Sequence, residues 1–410
     1  MKILMINKYP SIEGGADREM FNLANLLKKD GHDITIFAAD IGTVLNPDYE
    51  YSLFRTLDRK RSNEFDLKEK LSGFINIVYN KYSKKCLENL LKDYRPDVAH
   101  LHNIHFEIST SVIDVLSKAK VPIVMHLHDA RLFCPNGFLF TKGKYCTRCF
   151  YHKYYNTTFY KCVKNNLAGS FAVTVSFYYS FFNKIYEKVD RFIIPTKIVK
   201  DFAVGSGIPS EKIEIIDYPA PINDWIQSNQ YEDYFVFYGQ HLPSKGLINL
   251  ITAFKKLPNN LKLIITGKGI LTKEAKSIAK GNDNITFKGF VPDDELKSIL
   301  SNSLFTVLPS IGFENSNCTI RESNCLGKAV LGSRIGGIPE LIRENETGLL
   351  FNPNNLDELA QKIELMFKER ENTISMGKAA RKYVELHNSP NDYLLKILTL
   401  YNELNNRHNQ

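Results

Sequence analysis

No apolar run in the 410-residue chain approaches the roughly 20 residues that cross a bilayer. The opening MKILMINKYP has too short an apolar core for a signal peptide. Together these point to a cytoplasmic protein. Cysteine is scarce and odd in number, at 7, which in a chain without a signal peptide argues against a disulfide framework. The dinucleotide fingerprint G-x-G-x-x-G is missing after the first strand. No nucleic-acid recognition motif accompanies the net charge of +8, from 53 Lys+Arg against 45 Asp+Glu. That excess suits an anionic ligand or an acidic membrane surface, and nucleic acid is not expected as a partner. The two halves show no self-similarity that amounts to a repeat.

A hydrophobic content of 43% and a charged content of 24% describe a globular protein. The length exceeds one ordinary core, so two domains are expected. KILMI at 2–6 reads as a buried strand, the loop Asn7–Gly15 ends in Gly14-Gly15, and Ala16–Lys29 carries Met20, Leu23, Ala24 and Leu27 on one helical face. With ITIFAA as the next strand this is a doubly wound β-loop-α-β unit. Gly14-Gly15 reads either as a tight turn or as a place where backbone meets a ligand closely. VAHLHN (98–103) and IVMHLHD (123–129) are strands ending in histidine, and ligands bind at strand ends in such sheets, which makes His128 a candidate. RFIIPT and KIEIIDY complete the first half, and Pro219–Tyr231 reads as a linker. FVFYGQ opens a second unit of the same kind, with a loop HLPSKG leading into a helix over 247–257. Residues 356–387 and 390–406 read as helices broken at Pro390. The expected division is 1–219 and 220–389, with 390–406 packing back on the first domain.

Three stretches carry chemistry. Cys134, Cys146, Cys149 and Cys162 lie in one block, C-P-N-G-x(7)-C-x(2)-C-x(12)-C. They read either as four thiolates for a structural zinc or as free thiols, since no second CxxC completes a ribbon. The segment FYHKYYNTTFYKCVKNN and the Lys- and Arg-rich residues 55–97, with Phe74, Ile75, Ile77, Val78 and Tyr82, read as solvated basic surface or as a lipid-facing surface. Glu314 and Glu322, seven residues between them, flank a helix start near Asn317–Thr319 between two buried strands. Unpaired N–H groups and the positive dipole end there suit a phosphate.

The frame P-S-x(4)-E-N-S-x(5)-E, followed by G-x-A-V and G-G-x-P-E, resembles the nucleotide-sugar site of the retaining GT-B enzymes of glycosyltransferase family 4. The order of Gly14-Gly15, His128-Asp129, G-x(5)-K-G at Gly239–Gly246 and G-x-G at Gly267–Gly269 extends the resemblance over nearly the whole chain. The cysteine block resembles a subset acting on bacterial surface polysaccharides. The resemblance implies a GT-B α/β fold, two Rossmann-like domains facing across a cleft. It implies transfer of a sugar from a UDP-, GDP- or ADP-sugar to a glycan or lipid-linked acceptor, with possible contact at the inner membrane face. Glu314 would bind the donor sugar, Glu322 the ribose, and Lys245 the diphosphate. Gly14, Gly15, Lys268, Asn317 and the N–H groups near Cys318 and Thr319 would assist, and His128 would reach the sugar from the first domain. No metal is implied for the transfer. Gln240 stands where the family usually has Arg, so the leaving group would be either stabilised more weakly or helped by His241; Asn317 replaces a usual Pro; Ser323-Asn324-Cys325 replaces the usual alanines. A non-catalytic nucleotide-sugar-binding subunit, or another enzyme on this scaffold such as an epimerase, is the alternative.

Overall fold

The computed structural model describes residues 1–408 apart from 41, 44 and 56–65, so the reading of that last stretch lies outside the described residues. The first half builds one parallel sheet from β1 (Lys2–Ile6), β2 (Asp33–Asp40), β3 (Glu50–Arg55), β4 (Val98–Leu101), β5 (Ile123–His126) and, after a small antiparallel hairpin of β6 (Phe140–Thr141) and β7 (Lys144–Tyr145), β8 (Arg191–Ile194) and β9 (Ile213–Ile215). Its order is β3-β2-β1-β4-β5-β8-β9. The second half repeats the plan with β10 (Tyr234–Tyr238), β11 (Lys262–Thr266), β12 (Ile285–Gly289), β13 (Phe305–Leu308), β14 (Ala329–Ser333) and β15 (Gly348–Phe351), in the order β12-β11-β10-β13-β14-β15. In each sheet the order reverses beside the first strand, β1/β4 and β10/β13. At such a reversal, neighbouring connections leave on opposite faces and open a crevice at the strand ends.

The short apolar runs form strands because both their faces are covered. In β1, Leu4 and Ile6 join one core with Phe37, Ala99 and Met125, while Ile3 and Met5 join another with Met20, Leu23 and Leu27 of the helix Gly15–Lys29. The helix Pro390–His408 contributes Tyr393, Ile397, Leu400, Tyr401 and Leu404 to that second core. The chain thus crosses from the first half to the second near Asp217–Ala220 and returns near Asn388. Asn388 Nδ2 donates to Asp217 Oδ2 at 3.0 Å, and Ala220 N to Asn388 O at 2.8 Å.

Several local expectations need correction. The segment after Pro219 connects the two halves as a packed linker: Ala220 and Trp225 are buried with Tyr234, Leu326 and Val384. Apolar residues inside a polar stretch had a core to enter. The helical stretch 356–387 breaks at Glu369 into Leu356–Lys368 and Arg370–His387. The basic segment before 97 holds two helices, Leu67–Val78 and Lys81–Asp93, the second capped by Asn80, whose side chain accepts from Tyr82 N and Ser83 N. The strand β3 was not anticipated.

Candidate active site

β13 runs out through Pro309 and Ser310 into a loop that ends at Asn317, and the helix Cys318–Cys325 begins there. Asn317 does two jobs. Its Oδ1 accepts from Thr319 N at 2.8 Å, capping the helix, and its Nδ2 donates to Glu314 Oε2 at 2.9 Å. A proline there would supply neither bond. Glu314 is buried and fully engaged: Ser310 Oγ donates to it at 2.6 Å and Lys245 Nζ at 2.7 and 3.0 Å. Lys245 ends a single 3₁₀ turn, Pro243–Lys245, that follows β10. Gly246 comes next with φ +70°, and a Cβ there would stand 1.8 Å from Pro309 O. Only glycine lets the two loops press together, and that approach delivers Lys245 to Glu314. Gly336 and Gly337 have the same cause. Their Cβ atoms would meet Glu314 O at 2.2 Å and Asn315 O at 2.0 Å, and Gly337 N donates to Glu314 O at 2.8 Å.

Glu322 lies one turn inside the helix, buried, with Arg18 Nη1 of the first domain 3.5 Å from its Oε1. Burial raises its carboxyl above the ordinary 4.5, with Arg18 and Arg321 opposing. A carboxyl raised in this way binds its proton more readily folded than unfolded. Its stability contribution is therefore fully present below 4.5 and is lost as pH rises through the folded pKa. Glu322→Gln is accordingly expected to raise the melting temperature at neutral pH, with the difference from wild type shrinking as pH falls towards the ordinary carboxylate range. A melting series from neutral to acid pH checks this, and a Gln variant less stable at neutral pH refutes it.

The first domain meets this loop directly. Asn315 Nδ2 donates to Leu127 O at 2.9 Å and His128 O at 3.2 Å, and Thr196 Oγ1 donates to Asn315 Oδ1 at 3.1 Å. Glu340, the acid of G-G-x-P-E, accepts from Lys197 N at 2.6 Å and Ile198 N at 2.8 Å, so it caps a helix of the opposite domain. Arg321, which sequence reasoning passed over, is buried across the same boundary. It reaches Glu19 Oε1 at 2.9 Å and Asp217 Oδ1 at 3.4 Å, donates to Ser316 Oγ, and lies 5.0 Å from the Tyr218 ring. Its only sequence signal was a charged residue directly before Glu322 in an otherwise inward-facing helix. An interdomain cavity of about 170 Å³ lies behind this helix, lined by Arg321, Asn324 and Glu340 among others, and includes neither Glu314 nor Glu322.

The remaining expected residues divide. Gly14 caps the helix that Gly15 begins; both are exposed, and a side chain on Gly15 would meet nothing within 4 Å. This is an open helix start and not a tight turn. Gln240 and Lys268 are exposed, Lys268 over the Phe290 ring at 5.2 Å. His241 does not offer a cation to the cleft. It is 1% exposed, with Nδ1 bonded to Thr272 Oγ1 at 2.8 Å and Nε2 to Thr266 O at 3.3 Å, and burial lowers its pKa. His128 lies at the cleft edge with both ring nitrogens already used: Nε2 is 2.8 Å from His102 Nδ1 and Nδ1 is 2.6 Å from Tyr218 OH. Its pKa is pushed down to about 4 by burial, so the ring is neutral at pH 7. In this arrangement its imidazole faces the protein and not a sugar. The four cysteines share one lobe but turn to separate partners: Cys134 to Asn136 Oδ1, Cys149 to Thr157 Oγ1, Cys162 to Thr141 Oγ1, with Arg148 against Cys146. Among the described residues they do not form a set of three ligand atoms within 4.8 Å, the compactness a tetrahedral site needs. Burial, reinforced by the neighbouring thiols, pushes the Cys134 and Cys149 thiols up to about 12 and 11.

The profile of glycosyltransferase family 4 matches residues 13–219, half of the chain, and that of glycosyl transferases group 1 matches 223–383. The chain belongs to glycosyltransferase family 4. An uncharacterized glycosyltransferase of Methanocaldococcus jannaschii is 23% identical to this transferase over 387 residues, 93% of either chain. An uncharacterized 42.6 kDa protein in the cps region of Klebsiella pneumoniae is 25% identical over 370 residues, 84% of this chain and 88% of that one. The crystal structure of Anabaena Alr3699/HepE in complex with UDP superposes with a TM-score of 0.71 at 16% identity, covering 98% of the transferase and 100% of that chain. The transferase therefore has the GT-B fold, two Rossmann-like domains around a cleft. No helix among its described residues is long and apolar enough to cross a membrane.

Proposed function

We propose that this glycosyltransferase moves a sugar, with retention, from a nucleoside diphosphate sugar to a glycan or lipid-linked acceptor in cell-surface polysaccharide biosynthesis. The observation that carries the reading is the pairing of Glu314 with Lys245 in front of the helix start at Cys318, with Glu322 a turn behind. This places one carboxylate and one ammonium beside the positive end of a helix, a set that suits a sugar attached to a diphosphate. The Anabaena protein's complex with UDP, on the same fold, supports a nucleotide donor.

A donor entering this site displaces Lys245 from Glu314 onto its diphosphate, and Arg18 from Glu322 as the ribose hydroxyls arrive. Glu314 then accepts from sugar hydroxyls. Gln240 brings no charge, so Lys245, the helix start at Cys318 and the open helix start at Gly15 stabilise the leaving group. The C1–O bond to the β-phosphate breaks as the acceptor oxygen bonds C1 on the same face, and the acceptor proton passes to a β-phosphate oxygen. No side chain acts as base, and no metal is assigned to this step. Thermal shift against UDP-, GDP- and ADP-sugars tests the donor class, because a ligand that binds the native state raises the melting temperature. A flat response to all three sinks the reading.

The acceptor proposal rests on the surface. The helices Tyr155–Phe159 and Leu167–Phe182 leave Phe159 at 78%, Phe182 at 73% and Phe171 at 52% exposure, beside Lys153, Lys161 and Lys164. Aromatic rings interleaved with lysines suit an anionic lipid surface. Phe159→Ser with Phe182→Ser is expected to weaken binding to anionic vesicles about tenfold or more, from the apolar area each ring buries. Equal flotation of the variant and the parent removes the membrane part of the proposal.

A further inference from the structure

Positive charge is short on the second domain's side of the donor site. Gln240 carries none, His241 is buried against Thr272 and Thr266, and Lys268 lies over the Phe290 ring. Lys245 is the cation that meets Glu314. A nucleoside diphosphate gains negative charge when its bond to the sugar breaks, and that charge needs donors already aimed at it.

Arg18 of the first domain is placed to supply one. It lies in the first turn of the helix Gly15–Lys29, at the positive end of the dipole, where a cation is disfavoured. The other charges of this helix obey the dipole, with Asp17 in the first turn and Lys28 and Lys29 in the last. A cation kept in the unfavourable place calls for an anion in front of it. In the free protein that anion is Glu322, whose Oε1 is 3.5 Å from Arg18 Nη1. The contact is loose. The Arg18 side chain is 48% exposed, against 3% for Arg321, which holds Glu19 at 2.9 Å, and half-exposed ion pairs are weak. Glu322 is one turn inside the helix Cys318–Cys325, roughly 6 Å along its axis from the start. The Arg18 charge is felt at Cys318 itself, where it counters the rise that burial and Glu322 impose on the thiol.

We infer that Arg18 is a diphosphate-binding residue carried across the cleft by the first domain, and that Glu322 holds it in place until the donor arrives. The inference rests on the nucleoside diphosphate sugar reading of this site. As ribose hydroxyls donate to Glu322, the guanidinium is released and turns towards the helix start. The phosphates join ribose to sugar, so they lie between Glu322 and Glu314. A planar fork of N–H donors matches two phosphate oxygens at once, which the point charge of Lys245 does not. When the C1–O bond breaks, its electron pair stays on the β-phosphate oxygen, and Arg18 and Lys245 share the new charge from opposite domains.

The test uses the full chain and calorimetry with UDP, GDP and ADP, each against its own monophosphate. In the wild type the preferred base should bind more tightly as the diphosphate. Arg18→Gln should cut that preference about tenfold or more, the worth of a charge-assisted hydrogen bond, and leave monophosphate affinity nearly unchanged. Lys28→Gln, the same charge change at the far end of the helix, should keep the full preference. An undiminished preference in Arg18→Gln overturns the assignment. So does equal tightening of both ligands, which would make Arg18 only a guard on Glu322. If the wild type binds none of the nucleotides, the donor reading itself fails and this inference falls with it. The melting curve of Arg18→Gln without ligand checks its fold. If it does not fold, Arg18→Lys decides: a reduced preference supports the assignment and an unchanged one overturns it.

Discussion

Glu314→Ala lowers glycosyl transfer by about 10²–10³-fold, the range seen when one preorganised group facing transition-state charge is removed. The acid receives donors from three directions, Ser310 Oγ, Asn317 Nδ2 and Lys245 Nζ, so its position is set before any ligand arrives. Alanine leaves those donors without an acceptor and frees Lys245 from its pairing with Glu314. The loss should fall on kcat more than on nucleotide affinity, because in the proposed arrangement the sugar and not the base meets Glu314. Glu314→Gln keeps an acceptor oxygen for Ser310 and should recover part of the fold but little of the rate. Initial rates alongside nucleotide-induced thermal shifts separate a damaged site from a damaged fold. Turnover near the wild-type value in the alanine variant would mean that this acid is not part of the machinery.

Arg321→Met produces the largest stability loss, about 3–5 kcal/mol, the cost of breaking a buried ion pair on one side. Methionine keeps much of the volume and removes the charge. Glu19, whose carboxyl burial already raises against the pull of Arg321, then has no cation to offset its desolvation. Asp217 loses one of its bonds at the point where the chain crosses between domains. Because Glu19 and Arg321 belong to opposite domains, the interface loosens as the protein destabilises. Replacing the partner as well, Glu19→Gln with Arg321→Met, should return part of the loss, since a buried charge left alone costs more than a pair replaced by neutral groups. Thermal unfolding of the single and double variants measures both effects. A single variant that melts with the wild type would show that the contact carries no load.

The loop that carries the two acids was more readable in the sequence than the electrostatics around it. Glu314, Asn317 and Glu322 are neighbours in the chain, and the helix that holds Glu322 is announced by its cap at Asn317, so local rules were enough. The role given to His241 failed because polarity was taken for exposure. Thr272 and Thr266, 31 and 25 residues away, turn the ring inward. His128 was placed correctly at a strand end, but its two nitrogens were claimed by His102 and Tyr218, which sequence spacing does not connect.

Short continuous apolar runs, capping residues and glycine pairs determined the two doubly wound sheets and the loop that carries the acids, because each depends on residues within one or two turns of chain. Tertiary structure alone decided which charges meet. Arg321 finds Glu19 across 302 positions and Arg18 approaches Glu322 across 304, once the two sheets face each other. Electrostatic pairing depends on distance in space and on the water removed between partners, and neither quantity is written in the spacing of residues along a chain.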